Sequence, residues 1–264
     1  MSAAAPASSV SRDIIFARDV DPSKILFSAP KQMDNGARNV YINYQHMNNN
    51  LIIQTPTLNA PFGISTWPGE RGAPDKYTLD LSFAGKETTP AIQEFHDMLQ
   101  NISNFVLDSA LENSNTWFKK KYPSRDVVEA IFNSNIRYSK DKTTGEISNA
   151  YPPTFKMNLP FRDGNFMFPC YGATRDPISL VDIMNQPSRG KGARVTAIMQ
   201  LNSLWIVGGK FGLTWKVSQL RIVMPQISSG YAFVPMADDD EVTNKNGDDN
   251  DNDDDAQENA HLFM

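Results

Sequence analysis

The chain has 264 residues, 40% of them hydrophobic and 21% charged, which supports one large soluble domain or two small ones with ample material for a core. Its net charge of -5 conceals a division: residues 238–264 hold eleven carboxylates against one base, Lys245, a charge of -10, and the rest holds 24 basic and 19 acidic residues, a charge of +5. The single cysteine, Cys170, excludes an internal disulfide and a multi-cysteine zinc site and points to a reducing, intracellular compartment, and no apolar run approaches the roughly 20 residues that span a bilayer.

Residues 1–13 carry neither the basic nor the apolar region of a secretory signal and are read as a disordered arm. The body, 14–237, opens with short strands at 14–16 and 25–27. Residues 40–44 and 51–55 flank an Asn-rich stretch and are expected to pair as a hairpin. A Pro/Gly-rich passage with Trp67 and Arg71 follows. Then Tyr77, Leu79, Leu81 and Phe83 alternate with Thr78, Asp80 and Ser82, the period of two that a half-buried strand requires.

The middle of the body is helical. Thr88 or Thr89 can cap, Pro90 suits a first turn, and Ile92, Phe95, Leu99, Ile102 and Val106 follow at three- and four-residue steps, predicting a helix to about residue 111. A second, shorter helix is expected from Ser124, which makes a helical insertion over about 90–133. Strands return at 136–139, 154–161 and 166–171. Two long strands then span 194–223, joined through Gly208 and Gly209, which supply the positive-φ freedom of a tight connection. Val195, Ala197, Met199 and Leu201 share one face of the first, and Phe211, Leu213, Trp215 and Val217 one face of the second. The tail, 238–264, cannot bury enough apolar surface to offset its ordering entropy and is read as disordered, although it closes on the apolar tip Leu262-Phe263-Met264.

Catalytic and metal motifs do not emerge. His46, His96 and His261 lie far apart in sequence, and Gly190-Lys191-Gly192 and Gly208-Gly209-Lys210 lack the spacing of a nucleotide P-loop. Asp249, Asp251 and Asp253 imitate the start of a calcium loop, but its sixth position would be Asp254 instead of glycine and its twelfth Ala260 instead of glutamate. Asp75, Asp80 and Glu87 are the nearest body carboxylates and read as solvated strand residues. No catalytic residue, metal or cofactor is expected.

Binding of unpaired nucleic acid asks for cations that track phosphates and aromatic faces on which bases stack. Those residue types interleave at Trp67 with Arg71, at Trp117 with Lys119, Lys120 and Lys121, at Arg137, Tyr138 and Lys140, and at Lys210 and Lys216. Ahead of the long hairpin, Arg189, Lys191 and Arg194 sit on a backbone loosened by two glycines, a loop able to follow a phosphate chain. Tyr41, Trp67, Trp117 and Tyr138 are the expected stacking platforms. Taken one patch at a time, a structural role is the favoured reading; their number and the acidic tail move the balance toward binding.

The hairpin from Leu204-Trp205-Ile206-Val207 through Gly209-Lys210-Phe211-Gly212-Leu213 to Gln219-Leu220-Arg221-Ile222-Val223, followed by an acidic tail with an aromatic near its end, resembles the single-stranded-DNA-binding proteins of short-tailed phages. It is most similar to their counterparts in large nucleocytoplasmic DNA viruses of eukaryotes. The resemblance implies a mainly β fold, an OB-fold five-stranded barrel with a helix inserted between strands, whose groove holds single strands. It also implies a non-enzymatic, sequence-tolerant role in viral DNA replication, recombination and repair, at the host nucleus or a cytoplasmic replication site, with a homodimer plausible. The tail, through Asp251, Asp253, Asp254, Asp255, Glu258, Leu262 and Phe263, would recruit a polymerase, primase or helicase. A virion or assembly protein with core aromatics and an acidic interaction tail is the alternative class, and a metal-dependent nuclease a third.

Overall fold

The computed structural model describes residues 14–225 other than 35, 47, 48 and 70–73, all within a unit that ends at Pro225. Short extended pieces come first: β1 (Ile14–Phe16), β2 (Ile25–Phe27) and β3 (Lys31–Gln32). They lead into β4 (Arg38–Tyr44), β5 (Leu51–Gln54), β6 (Leu58–Ala60), β7 (Ile64–Trp67) and β8 (Lys76–Ser82). Three helices follow, α1 (Pro90–Glu112), α2 (Ser114–Phe118) and α3 (Arg125–Ala130). The chain returns to strand in β9 (Phe132–Asn133), β10 (Ile136–Arg137), β11 (Thr154–Leu159), β12 (Phe161–Arg162), β13 (Asn165–Phe166) and β14 (Cys170–Tyr171). A short helix α4 (Leu180–Asn185), which periodicity did not announce, precedes β15 (Ala193–Val207) and β16 (Lys210–Val223).

Five of these strands close a barrel. β15 pairs with β16 along one edge and with β6 on the other, and β6 meets β8 at Asn59 and Ser82. β8 runs antiparallel to β11, and β11 lies parallel to β16 through Asn158 and Lys216. The architecture is mainly β, an OB-type five-stranded barrel with α1 inserted between β8 and β11. Its interior comes from the alternating positions: Leu79 and Leu81, Phe155 and Met157, Val195 to Leu201 at every second residue, and Phe211, Leu213, Trp215 and Val217 are all buried. α1 lays its apolar stripe against this core. The Phe95 ring lies 5.8 Å from Phe83 and 5.6 Å from Phe155, which in turn lies 6.2 Å from Trp215. Thr89 takes the N-cap position of α1 ahead of Pro90, but its hydroxyl makes no capping bond.

The expected hairpin of residues 40–44 and 51–55 is not formed. β4 and β5 instead both run antiparallel to β15, β4 against residues 203–206 and β5 against 198–201. The reason is the length of β15: its 15 residues present more backbone donors and acceptors than one short partner satisfies, so β4, β5 and β6 share that edge in turn. Such sharing is invisible to local pattern.

The β15–β16 register slips twice by one residue. Leu201 pairs with Trp215 and Ser203 with Thr214, which leaves Asn202 extra on β15; Ile198 pairs with Gln219 and Met199 with Val217, which leaves Ser218 extra on β16. A bulge exchanges the two faces for every residue beyond it. Strict alternation from Val195 would send Trp205 into the core. Beyond Asn202 the buried positions become Leu204 and Ile206, and Trp205 turns outward.

Cys170 in β14 is buried, and burial pushes its thiol up to about 11. Among the described residues no helix is long and apolar enough to cross a membrane.

Candidate nucleic-acid interface

The outward faces of β8, β11, β15 and β16 meet in an open groove of ≈ 810 Å³ whose walls include Asn39, Lys76, Tyr77, Asn158, Phe161, Trp205, Thr214 and Lys216. A recess of ≈ 190 Å³ adjoins it, sharing Asn158 and Trp205 and adding Arg137 and Lys156. Alternation accounts for the β11 contribution: Phe155 and Met157 point inward, so Lys156 and Asn158 point out.

Two indoles frame this surface. Trp205 owes its position to the Asn202 bulge and to Gly212, its partner in register. A Cβ at Gly212 would lie 2.8 Å from the Trp205 ring and 2.8 Å from the Asn133 carbonyl oxygen, so only glycine lets the indole lie against the strand. Trp67, 51% exposed, is fixed differently: its Nε1 donates to Thr78 Oγ1 at 3.2 Å and the Lys156 ammonium sits 4.5 Å from its ring centroid. That contact holds a cation at a stacking face.

Beneath it, Asp80 lies opposite Lys156 in the β8–β11 register. Burial raises the Asp80 carboxyl above its ordinary value, against the pull of Lys156 and Arg137, and its Oδ1 has no hydrogen-bond partner among the described residues. The Lys156 ammonium is held below its ordinary value, first by burial and then by Arg137, with Asp80 opposing. For both groups desolvation outweighs their mutual attraction. An anion arriving beside Lys156 and Arg137 would favour the charged ammonium.

The expected site residues divide. Lys216 lines the groove and Arg137 the recess, while Trp67 lines neither but carries Lys156 of the recess over its ring and pairs in register with Lys76 of the groove. Tyr41 is exposed on β4, two residues beyond Asn39 and on the same face. Trp117 is a correction: it is 2% exposed, its ring packs edge-on against Phe27 at 4.9 Å, and a buried indole offers no face to a base. Its neighbours Lys119, Lys120 and Lys121 are exposed, but they emerge beside the hairpin tip, where Phe118 packs 5.1 Å from Phe211, and none lines the groove. Tyr138 accepts a hydrogen bond from Gln100 and lines a separate polar depression with Glu87, His96 and Asp97; Lys140 is exposed in a bridge to Ile147. Arg189 is held in place: its guanidinium donates to the Ile64 carbonyl oxygen at 3.0 Å and to Thr66 Oγ1, neutral acceptors that fasten the loop to β7 without neutralising its charge. Lys191 is exposed, Lys210 stands at the tip paired with Val207, and Arg194 opens at the far end of the hairpin. Arg71 and the tail positions Asp251, Asp253, Asp254, Asp255, Glu258, Leu262 and Phe263 lie outside the described residues.

Sequence reasoning passed over Trp205, Lys156, Asn158 and Lys76. The signal for Lys156 and Asn158 was present in the alternation of β11, whereas Trp205 depends on a bulge. Among the described residues no three His, Cys, Asp or Glu side chains are placed to hold a metal ion. Asp75 accepts from the Gly69 N–H at 3.0 Å and Glu87 sits beside Lys86, so these carboxylates do not converge with Asp80.

No family model matches the chain, and no curated protein matches it in sequence. Solved structures similar to it include the single-stranded-DNA-binding protein of bacteriophage Enc34 in complex with single-stranded DNA, at 11% identity and a TM-score of 0.37, covering 77% of this chain and 94% of that one. A C-terminal truncation of the same phage protein gives 10% identity and 0.37 over 78% and 98% of the two chains. The single-stranded-DNA-binding protein gp2.5 of bacteriophage T7 gives 17% identity and 0.36 over 75% and 97%. Superpositions this loose leave the groove's own chemistry as the ground for function.

Proposed function

We propose that the chain is a sequence-tolerant single-stranded-DNA-binding protein that acts without catalysis. One observation carries the reading: two outward indoles, Trp67 and Trp205, share a barrel surface on which Lys156 rests against the first and lines a recess with the second, with Lys76, Arg137 and Lys216 around them. Stacking contributes about 1–3 kcal/mol per base. Two platforms with several phosphate contacts make a useful site for an unpaired strand, while a duplex keeps its base faces covered. The groove suits any unpaired strand, and the choice of DNA follows the resemblance of the hairpin and tail.

On that resemblance the protein serves viral DNA replication, recombination and repair, in the host nucleus or at a cytoplasmic replication site, alongside counterparts in large nucleocytoplasmic DNA viruses. The same resemblance makes a homodimer plausible, and the acidic tail recruits a polymerase, primase or helicase through the carboxylates and through Leu262 and Phe263.

The test is a tryptophan-fluorescence titration of the full chain with an unstructured single strand and with a duplex of equal length, over a salt series. Quenching by the single strand, tighter binding than to duplex, and a salt slope of about -0.7 per phosphate contacted are expected. Equal binding to both forms, or none at low salt, would overturn the reading and leave the assembly protein in front.

A further inference from the structure

The far end of the long hairpin carries a second cationic surface. Two hollows of ≈ 360 Å³ and ≈ 210 Å³ share Thr196 and Arg221; Arg175 opens into the first and Arg194 into the second. All three arginines are exposed, and none forms an ion pair among the described residues. The one acid adjacent in sequence, Asp176, accepts a hydrogen bond from the Thr174 hydroxyl. Arg221 is aimed by a bond to the Ala173 carbonyl oxygen at 3.1 Å, and Arg175 stands in a left-handed turn, φ 70°, whose Gly172 N–H donates to the Asp176 carbonyl oxygen.

The Ser218 bulge links this cluster to the groove. Lys216 and Arg221 would point to opposite faces of a regular strand; the extra residue between them turns both outward. They stand about 15 Å apart along β16. A backbone leaving the indoles past Lys216 therefore meets the arginines on the same ribbon.

We propose that Arg175, Arg194 and Arg221 form a second phosphate-binding subsite, which holds the backbone of a strand whose bases already stack in the groove. The inference rests on the single-strand reading above. Guanidinium forks suit phosphate oxygens bidentately, and no exposed indole accompanies them, so the subsite contributes through strand length and not through bases. Thr57 and Thr196, whose hydroxyls share a hydrogen bond of 2.8 Å, leave one neutral O–H donor at its edge.

The experiment is an anisotropy titration of the full chain with thymidylate strands from about 4 to about 16 nucleotides, the range of site sizes for such barrels. The parent is compared with Arg175→Gln, Arg194→Gln and Arg221→Gln, singly and together. Short strands, confined to the groove, should bind parent and variants alike, which also shows that the variants fold. Long strands should bind the variants about 5-fold more weakly per arginine removed at low salt, with a salt slope smaller by about 0.7 for each phosphate no longer neutralised. Equal losses at every length, or no loss at any, would overturn the subsite and leave the groove reading standing. Tighter binding by the variants would also overturn it and assign the cluster to the acidic segment of this chain. If the parent binds no strand of any length, both readings fall together.

Discussion

Trp205 and Trp215 stand on opposite faces of one ribbon and do opposite work. Trp215 is 1% exposed and joins a ring ladder through Phe155 to α1, so it belongs to the barrel's interior. Trp205 faces out across Gly212 because Asn202 shifts the register beneath it. Residue type does not separate a core aromatic from a stacking platform; a single unpaired backbone residue does.

The comparison can be broken most easily at Trp215. Trp215→Ala should cost about 3–5 kcal/mol of stability by denaturant unfolding, the range for emptying a buried aromatic site. If it costs no more than Trp205→Ala, the division of the two faces is wrong. Trp205→Ala should leave the unfolding midpoint nearly unchanged and weaken single-strand binding by about 1–3 kcal/mol, read by titration. Gly212→Ala sharpens the same point without touching an aromatic: its Cβ must displace the indole or the Asn133 carbonyl, with an overpacking cost of about 1–3 kcal/mol and a loss of Trp205 quenching. Lys216→Ala is a smaller change, expected to reduce the salt slope of binding by about 0.7 with the fold intact. Smallest is Asp80→Asn. Because burial raises the Asp80 carboxyl above 3.8, the fold gains stability from this group below that value and loses it as pH rises through the raised one. The variant should therefore melt higher than the parent at neutral pH and converge with it in acid.

Local pattern made much of the barrel legible. Periods of two exposed β8 and the inner face of β16, and three- and four-residue steps located α1 almost to its last turn. What escaped were long-range or short-range exceptions. The partners of β4 and β5 are set by β15, more than a hundred residues away in sequence. α4 is six residues long, too short for a periodic signal. Trp117 sits beside three lysines and looked solvated, yet its indole turns inward from α2 toward Phe27 while the lysines begin after the helix ends. Nothing in the loop of Arg189 shows that Ile64 and Thr66 accept its donors and fix its guanidinium against β7. Asn202 and Ser218 carry no composition that marks a bulge, so the outward turn of Trp205 and of Arg221 could be seen only in the paired strands.

The buried thiol in β14 has a practical consequence. With its pKa pushed up to about 11 and its sulfur enclosed, Cys170 is protonated at neutral pH and slow to meet a maleimide. It is the one cysteine in the chain. Val207→Cys, at an exposed position of the hairpin tip, would then take a fluorophore alone. Strand capture could be followed molecule by molecule without first removing a native thiol.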